Sequence, residues 1–338
     1  TVLYTGTGAT HNVTGVGFKP DWVWIKERNN AVSPRVFDVN RTATKRMFPN
    51  NTDAESTQSN SLTSFDSDGF TLGDGGAVNG SSDTYVAWNW LGANGTTSNS
   101  NGNTASTVSA NPTAGFSIVT WTGTGSDTTI GHGLSSAPEM YVVKNRSDSA
   151  DWRVGQTVAG NTMTGGNGYY MEWNDTKAST NPGSATTWGS TPTAPTSSVF
   201  TVGSNNSHNG SSDNMLAYCF HSVKGYSRIS SYVGNGNSNG TFVYTGFRVR
   251  YVMIKRVSAG GNSWRLYDNL RDTDNEMDNA LFITNAVEGN YDAIDFLSNG
   301  FKLRGTSAAI NGSGSTYIFY AIAESPFVNS NGVPNNAK

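Results

Sequence analysis

The chain reads as an all-β protein made of three tandem β-sandwich repeats of the jelly-roll or lectin-like kind. Two observations predict this. One strand-like stretch is written three times, at residues 17–26, 137–144 and 246–255, and each copy ends in a lysine: Lys26, Lys144 and Lys255. Internal repetition on a fixed plan decides architecture before other signals do. The second observation is composition. Only 14% of the 338 residues are charged, against roughly a quarter in an ordinary soluble protein. Glycine, serine, threonine and asparagine take their place, which suits short strands and many turns. No amphipathic helix of convincing length is present.

The other landmarks follow in one order. Ahead of the repeated strand stands an aromatic residue and a glycine turn: Tyr4, Gly6 and Gly8; Trp121, Gly123 and Gly125; Tyr232, Gly234 and Gly236. Behind it, Arg35 and Asp38 return as Arg265 and Asp268, whereas the middle copy keeps Arg153 and has Gln156 at the aspartate position. Next come Gly69-Phe70 and Gly300-Phe301, with Phe200 between them in the series. Each copy closes on an asparagine–glycine turn (Asn79, Asn209, Asn311) and an apolar strand. A propeller is the rival plan, but its blades of roughly 40–50 residues are much shorter than these units of about 100.

These landmarks set the expected boundaries. Repeat 1 covers residues 1–92, a polar linker 93–113, repeat 2 114–225, repeat 3 226–328 and a tail 329–338. The linker is nearly all Asn, Gly, Ser, Thr and Ala, too little apolar surface to order itself, and is expected to be flexible. The repeated strand of repeat 1 is apolar on both faces, Trp22 and Trp24 on one and Val23 and Ile25 on the other. A sheet with one wet face would alternate apolar with polar. The second face must therefore be covered by another layer, repeat or subunit. Two excursions, 42–64 and 173–195, read as loops. The chain, opening at Thr1 inside its first strand, is expected to be a processed product or a piece of a longer protein.

The net charge of −3 and the absence of a basic cluster argue against nucleic acid as a partner. No apolar run approaches the ~18 residues of a membrane span. A single cysteine, Cys219, excludes an intrachain disulfide and reads as a small buried hydrophobe. The histidines (His11, His132, His208, His221) have no metal-ligand spacing, and no strained serine elbow is found. The turns at Asn79 and Asn209 could offer oxygens to calcium, but each brings one aspartate, Asp83 or Asp213, and the third copy has Ser315. That is too few carboxylates for a hard cation. No catalytic, metal or cofactor residue is nominated. Lys26, Lys144 and Lys255 with Arg35, Arg153, Arg265, Asp38 and Asp268 are read as a repeated scaffold: Asp38 and Asp268 as structural pairs with the repeated arginines beside them, and the lysines in an ion pair or hydrogen bond across the sheet, with Asp38 and Asp268 as partners in the first and third copies. Trp173 and Trp188, in the second excursion, are the candidate ligand contacts, because exposed aromatics suit glycans.

The sequence at residues 17–26, Arg35 to Asp38, 64–73 and Tyr85 to Trp88 resembles a repeat domain of large, fibre-like virion proteins of marine bacteriophages. The middle copy, from Gly131-His132-Gly133-Leu134 to Lys144-Asn145-Arg146-Ser147, is similar to that domain's commonest variant. The resemblance covers nearly the whole chain. It implies a laminin-G or concanavalin-A-like sandwich and a virion-surface protein without enzymatic activity, a tail-fibre or adhesin segment. Capsid decoration is the alternative, and a polysaccharide-degrading enzyme is a third reading from another class. Expected partners are other virion subunits, copies of the chain itself and a host surface glycan.

Overall fold

The structure, a computed structural model, describes residues 1–159, 168–181, 187–284 and 286–326; the expected tail and residues 182–186 of the second excursion lie outside the described residues. The described residues form an all-β protein of several sheets with two single-turn helices. Four strands recur in every repeat. The opening strand is Val2–Thr5, Phe116–Thr122 or Ser227–Val233. The lysine strand is Trp22–Glu27, Met140–Asn145 or Val249–Arg256. The arginine strand is Arg35–Asp38, Arg153–Gln156 or Arg265–Asp268, and the closing strand is Thr84–Trp90, Asn214–Phe220 or Thr316–Ala323. In all three repeats they lie side by side as opening, closing, lysine, arginine, antiparallel throughout.

Shorter strands complete each repeat. Repeat 1 has a separate sheet of His11–Thr14, Gly69–Leu72 and Leu62–Asp66. Repeat 2 has Thr128–Gly131 paired with Val199–Val202. In repeat 3, Met277–Phe282, Gly289–Leu297, Gly300–Leu303 and Phe242–Tyr244 continue the main sheet to eight strands.

The period-2 geometry of a strand sends alternate side chains to opposite faces, and here each face has its own core. Trp22, Trp24, Val86, Trp88 and Trp90 of repeat 1 join Met140, Val142, Leu216, Tyr218 and Phe220 of repeat 2 and Tyr251, Met253, Ile318 and Tyr320 of repeat 3 in one shared cluster. The opposite faces stay within their repeats: Val23, Ile25 and Tyr85 pack on Val13 and Phe70. Tyr141, Val143 and Met215 pack on Ile130 and Phe200. Val252, Ile254 and Phe319 pack on Val243 and Phe301. The cover that the doubly apolar strands require is thus the other two repeats.

Hydrogen bonds close the three repeats into a ring. The backbone N–H groups of Glu55, Ser179 and Glu288, one from each repeat, donate to the carbonyls of Arg146, Val257 and Arg28. Each acceptor stands two residues beyond the lysine of another repeat. Repeat 1 therefore reaches repeat 2, repeat 2 reaches repeat 3, and repeat 3 returns to repeat 1. Side chains follow the same sense: Arg146 forks Glu55 at 2.9 and 3.1 Å, Trp264 Nε1 donates to the Glu172 carbonyl at 2.8 Å, and Arg28 meets Glu288 at 2.6 Å. Glu55 and Ser179 come from the two excursions expected as loops; Glu288 lies in neither.

The stretch expected to be a flexible linker is different in the structure. Ser106–Asn111 pairs along the opening strand of repeat 2, with Thr97–Asn99 outside it, and the two extend the main sheet. Composition misleads here because Thr and Val are good strand formers and a neighbouring strand edge offers the backbone its partners. Val108 is buried in the repeat 2 core, and Ser109 Oγ accepts the N–H of Ala93 at 3.0 Å. Proteolysis should accordingly behave unlike that of beads on a string. A nick in the exposed turn around residues 100–103 should leave all three repeats eluting together in native gel filtration; separation of a repeat 1 fragment would contradict the shared core.

Candidate functional site

The repeated charges sit inside the frame. Lys26, Lys144 and Lys255 are all buried, and among the described residues their amines donate to backbone carbonyls and meet no carboxylate. Lys26 reaches Val32 at 3.0 Å, Lys144 reaches Thr52 at 2.8 Å and Ala150 at 2.5 Å, and Lys255 reaches Asn262 at 2.6 Å. The expected pairing with Asp38 and Asp268 does not form, and register explains why. Asp38 lies opposite Trp22, and Asp268 opposite Tyr251, so each lysine stands four residues, about 13 Å, further along the strand.

The aspartates pair instead with an arginine three residues on. Arg41 meets Asp38, and Arg271 meets Asp268, each at 2.6 Å with both side chains fully buried. Asp38 also accepts the hydroxyl of Tyr218 in repeat 2 at 2.7 Å, and Asp268 accepts Trp88 Nε1 of repeat 1 at 3.1 Å. Burial alone would raise the Asp268 carboxyl, but the Arg271 guanidinium overrides it and holds it below its usual value. In repeat 2, Gln156 makes the same corner without charge, its Oε1 accepting the N–H groups of Val158 and Ala159. The aspartate–arginine spacing is legible in residues 38–41 and 268–271, but in the sequence alone the strand-borne Arg35 and Arg265 stand at the same three-residue distance from each aspartate.

Those strand-borne arginines have separate duties. Arg35 donates to the carbonyls of Ser33 and Ala77. Arg153 pairs with Glu172 at 2.6 Å, and Arg265 with Asp292 at 3.2 Å.

Trp173 and Trp188, expected as exposed ligand contacts, are buried at 1% and 0% exposure. Trp173 lies in the shared core against Trp22, Trp24 and Trp152. Trp188 fills the repeat 2 core edge-on to Tyr141, its Nε1 donating to the Tyr169 carbonyl. Both serve packing, because a strand pairing (Met171–Glu172) and the turn after it fold the excursion inward. Cys219 is buried beside Ser117, and burial pushes its thiol upward.

The asparagine–glycine turns hold the frame too. Asn79, Asn209 and Asn311 are each fully buried. Their side-chain oxygens accept the N–H groups of Thr7, Thr124 and Asn235, and their amides donate to the carbonyls of Gly73, Gly203 and Gly305. The side chain that could have faced a cation thus ties the closing turn to the opening one. The close approach needs glycine opposite: a Cβ on Gly123 would lie 2.0 Å from the Gly210 carbonyl oxygen. Among the described residues no group of three or more His, Cys, Asp or Glu gathers as a metal site, and no helix is long and apolar enough to cross a membrane.

The surface offers two features. The exposed large apolar residues among those described are Val233, Phe242, Tyr244, Val287 and Tyr291, all in repeat 3. Beside Tyr244 runs a groove of about 740 Å³ along the joint of repeats 2 and 3, whose wall includes Glu139, Val158, Lys224, Arg228 and Ser230.

The buried lysines predict a pH response. Burial lowers all three from an ordinary 10.5 to about 8. Between those values the unfolded chain binds more protons than the folded one, so stability rises with pH at up to about 1.4 kcal/mol per unit for each lysine. Buried tyrosines carry the opposite sign, since Tyr4, Tyr141 and Tyr218 are raised above their ordinary 10.0 by burial first. Unfolded tyrosines ionise above that value while folded ones do not, which favours unfolding. Thermal unfolding should therefore show its maximum between the folded lysine value of about 8 and the ordinary tyrosine value of 10.0. A maximum below pH 8 would refute the lysine assignment.

Neither curated proteins nor solved structures give a match to this chain. One family does, over residues 1–326. With nearly the whole ring inside that match, the chain belongs to the family described as a domain of unknown function, DUF7483.

Proposed function

We propose that the chain works by surface contact and not by turnover, as a virion structural protein of the tail-fibre or adhesin kind. The observation that carries this reading is that the exposed large apolar side chains among the described residues, Val233, Phe242, Tyr244, Val287 and Tyr291, all belong to repeat 3. Exposed apolar surface concentrated in one part of a protein marks contact sites. The repeated charges and aromatics are committed to the frame, which leaves variable surface to provide recognition on a rigid support. Each repeat is read as a two-layer sandwich, with its main sheet as one layer and the short strands as the other, in keeping with the lectin-like resemblance. Burial of Trp173 and Trp188 moves any glycan contact away from the second excursion and toward the repeat 3 surface.

Electron microscopy of intact phage particles with gold-labelled antibody to this chain tests the reading. Label on fibres or other surface projections is the expected result. Label on the shell faces would favour capsid decoration. Recovery of the protein only outside particles, or loss of host polysaccharide chain length on incubation with it, would overturn the contact reading.

A further inference from the structure

The three repeats are their own control, and repeat 3 departs from the other two along one line. Strand register aligns Val2, Val119 and Ser230, opposite Ala87, Ala217 and Phe319 of the closing strands. Val2 and Val119 are buried core residues, whereas Ser230 is half-buried. Two residues earlier, Ser117 of repeat 2 becomes Arg228, opposite Cys219 and Ala321 in turn. On the facing layer, Thr14, Gly131 and Tyr244 hold one position, opposite Gly69, Val199 and Gly300. Packing keeps the frame alike between repeats, so these three changes together call for another cause.

The three altered side chains line the groove of about 740 Å³ at the joint of repeats 2 and 3. That volume lies within the roughly 300–1,000 Å³ of small-ligand sites, which favour such joints. The backbone edge beside it is closed by the chain itself. Val223 and Ser227 exchange both backbone hydrogen bonds, Ser222 Oγ accepts the Ile229 N–H at 2.9 Å, and Thr241 Oγ1 donates to the Val233 carbonyl at 2.9 Å. The groove therefore presents side chains. A guest held by a backbone ladder is excluded, and one held through its own substituents is favoured.

The charge on the wall is one-sided. Neither Lys224 nor Arg228 has a carboxylate partner among the described residues. Arg228 lies over the Tyr244 ring at 5.5 Å, a contact that steadies its guanidinium. The Glu139 carboxylate of the same wall is already held by the backbone N–H and hydroxyl of Ser222, and the two cations outnumber it. Tyr244 is 55% exposed and offers flat apolar area ending in a hydroxyl.

We propose that this groove binds a uronic-acid unit of a surface glycan, its carboxylate on the Arg228 fork with Lys224 beside it, its ring against Tyr244 and a hydroxyl on Ser230. The assignment rests on the contact reading above and names the ligand for it. A guanidinium grips a carboxylate through two parallel hydrogen bonds, which selects acidic over neutral sugar.

Titration calorimetry of the intact chain with a galacturonate trimer and with its methyl ester, alike in shape but uncharged, tests the site. The acid should bind saturably, at least tenfold tighter than the ester, and weaken as salt rises. Arg228→Ser, which restores the repeat 2 residue, should bring the acid down to the ester, and Tyr244→Thr, the repeat 1 residue, should weaken both. In the unaltered chain, bound acid should slow acetylation of Lys224 and leave that of Lys177, whose side chain is 63% exposed, unchanged. This readout does not depend on how the variants fold. No saturable binding, equal affinity for the ester, indifference to Arg228→Ser or an unprotected Lys224 would overturn the proposal. So would tighter binding of a pentaglutamate peptide or of inorganic phosphate, since the groove would then recognise charge without sugar. Any of these failures beside gold label on surface projections would overturn the glycan site alone and leave the contact reading standing.

Discussion

Arg271→Met should destabilise the protein by about 3–5 kcal/mol, because removing one partner of a buried ion pair leaves the other charge uncompensated. Arg271 holds Asp268 at 2.6 Å and also donates to the Leu266 and Asn279 carbonyls at 3.0 and 2.8 Å and to Glu288 at 2.5 Å. Asp268 in turn carries the Trp88 indole of repeat 1, so the loss reaches across the joint. Urea unfolding measures it. The double variant Asp268→Leu with Arg271→Met should cost less than Arg271→Met alone, since it removes both charges. The pair also gives an acid-side sign: with the folded Asp268 value depressed, its stabilisation is complete above the ordinary 3.8 and is lost as pH falls through the lower folded value. A single Arg271→Met within 1 kcal/mol of the parent would show that the pair is not structural, given the size such breaks usually have.

Trp22→Ala should cost at least as much, about 3–5 kcal/mol for a large core aromatic. Its ring meets Trp90 at 4.2 Å within repeat 1, and Phe116 at 5.6 Å and Tyr218 at 4.4 Å in repeat 2. The cavity would open at the meeting of repeats, where neither sheet can collapse alone. Trp22→Phe is the control. The Trp22 indole N–H has no partner among the described residues, so phenylalanine loses volume but no hydrogen bond, and the cost should fall well below that of alanine. A single unfolding transition in both variants is expected. Two transitions in Trp22→Ala, with repeat 3 melting separately, would argue against one cooperative core.

The sequence made the strands and their order legible because repetition and period-2 patterning are local. The doubly apolar lysine strand even required a cover, which the other repeats provide. What stayed hidden was non-local. The 93–113 stretch looked like a linker because its residues are polar, yet Ser106–Asn111 needed only a neighbouring edge to become a strand. Trp173 reads as loop surface because its neighbours are polar and proline-bearing, whereas its burial depends on rings from other strands. The lysines read as partners of the aspartates because both recur. Register, which the sequence does not print, put the aspartates at the other end of the strand.

A closed ring of three similar units is the shape a homotrimer takes, here written in one chain. Expressed alone, a repeat such as 114–225 would turn Met140, Val142, Leu216, Tyr218 and Phe220 outward to water. That face has no solvent-tolerant alternative, and its natural complement is two more copies of a sheet like itself. Covalent linkage removes the concentration dependence such a trimer would have, and it lets each position differ. One unit can keep an extra strand, another an arginine groove, and a third neither, which a ring of identical subunits could never do.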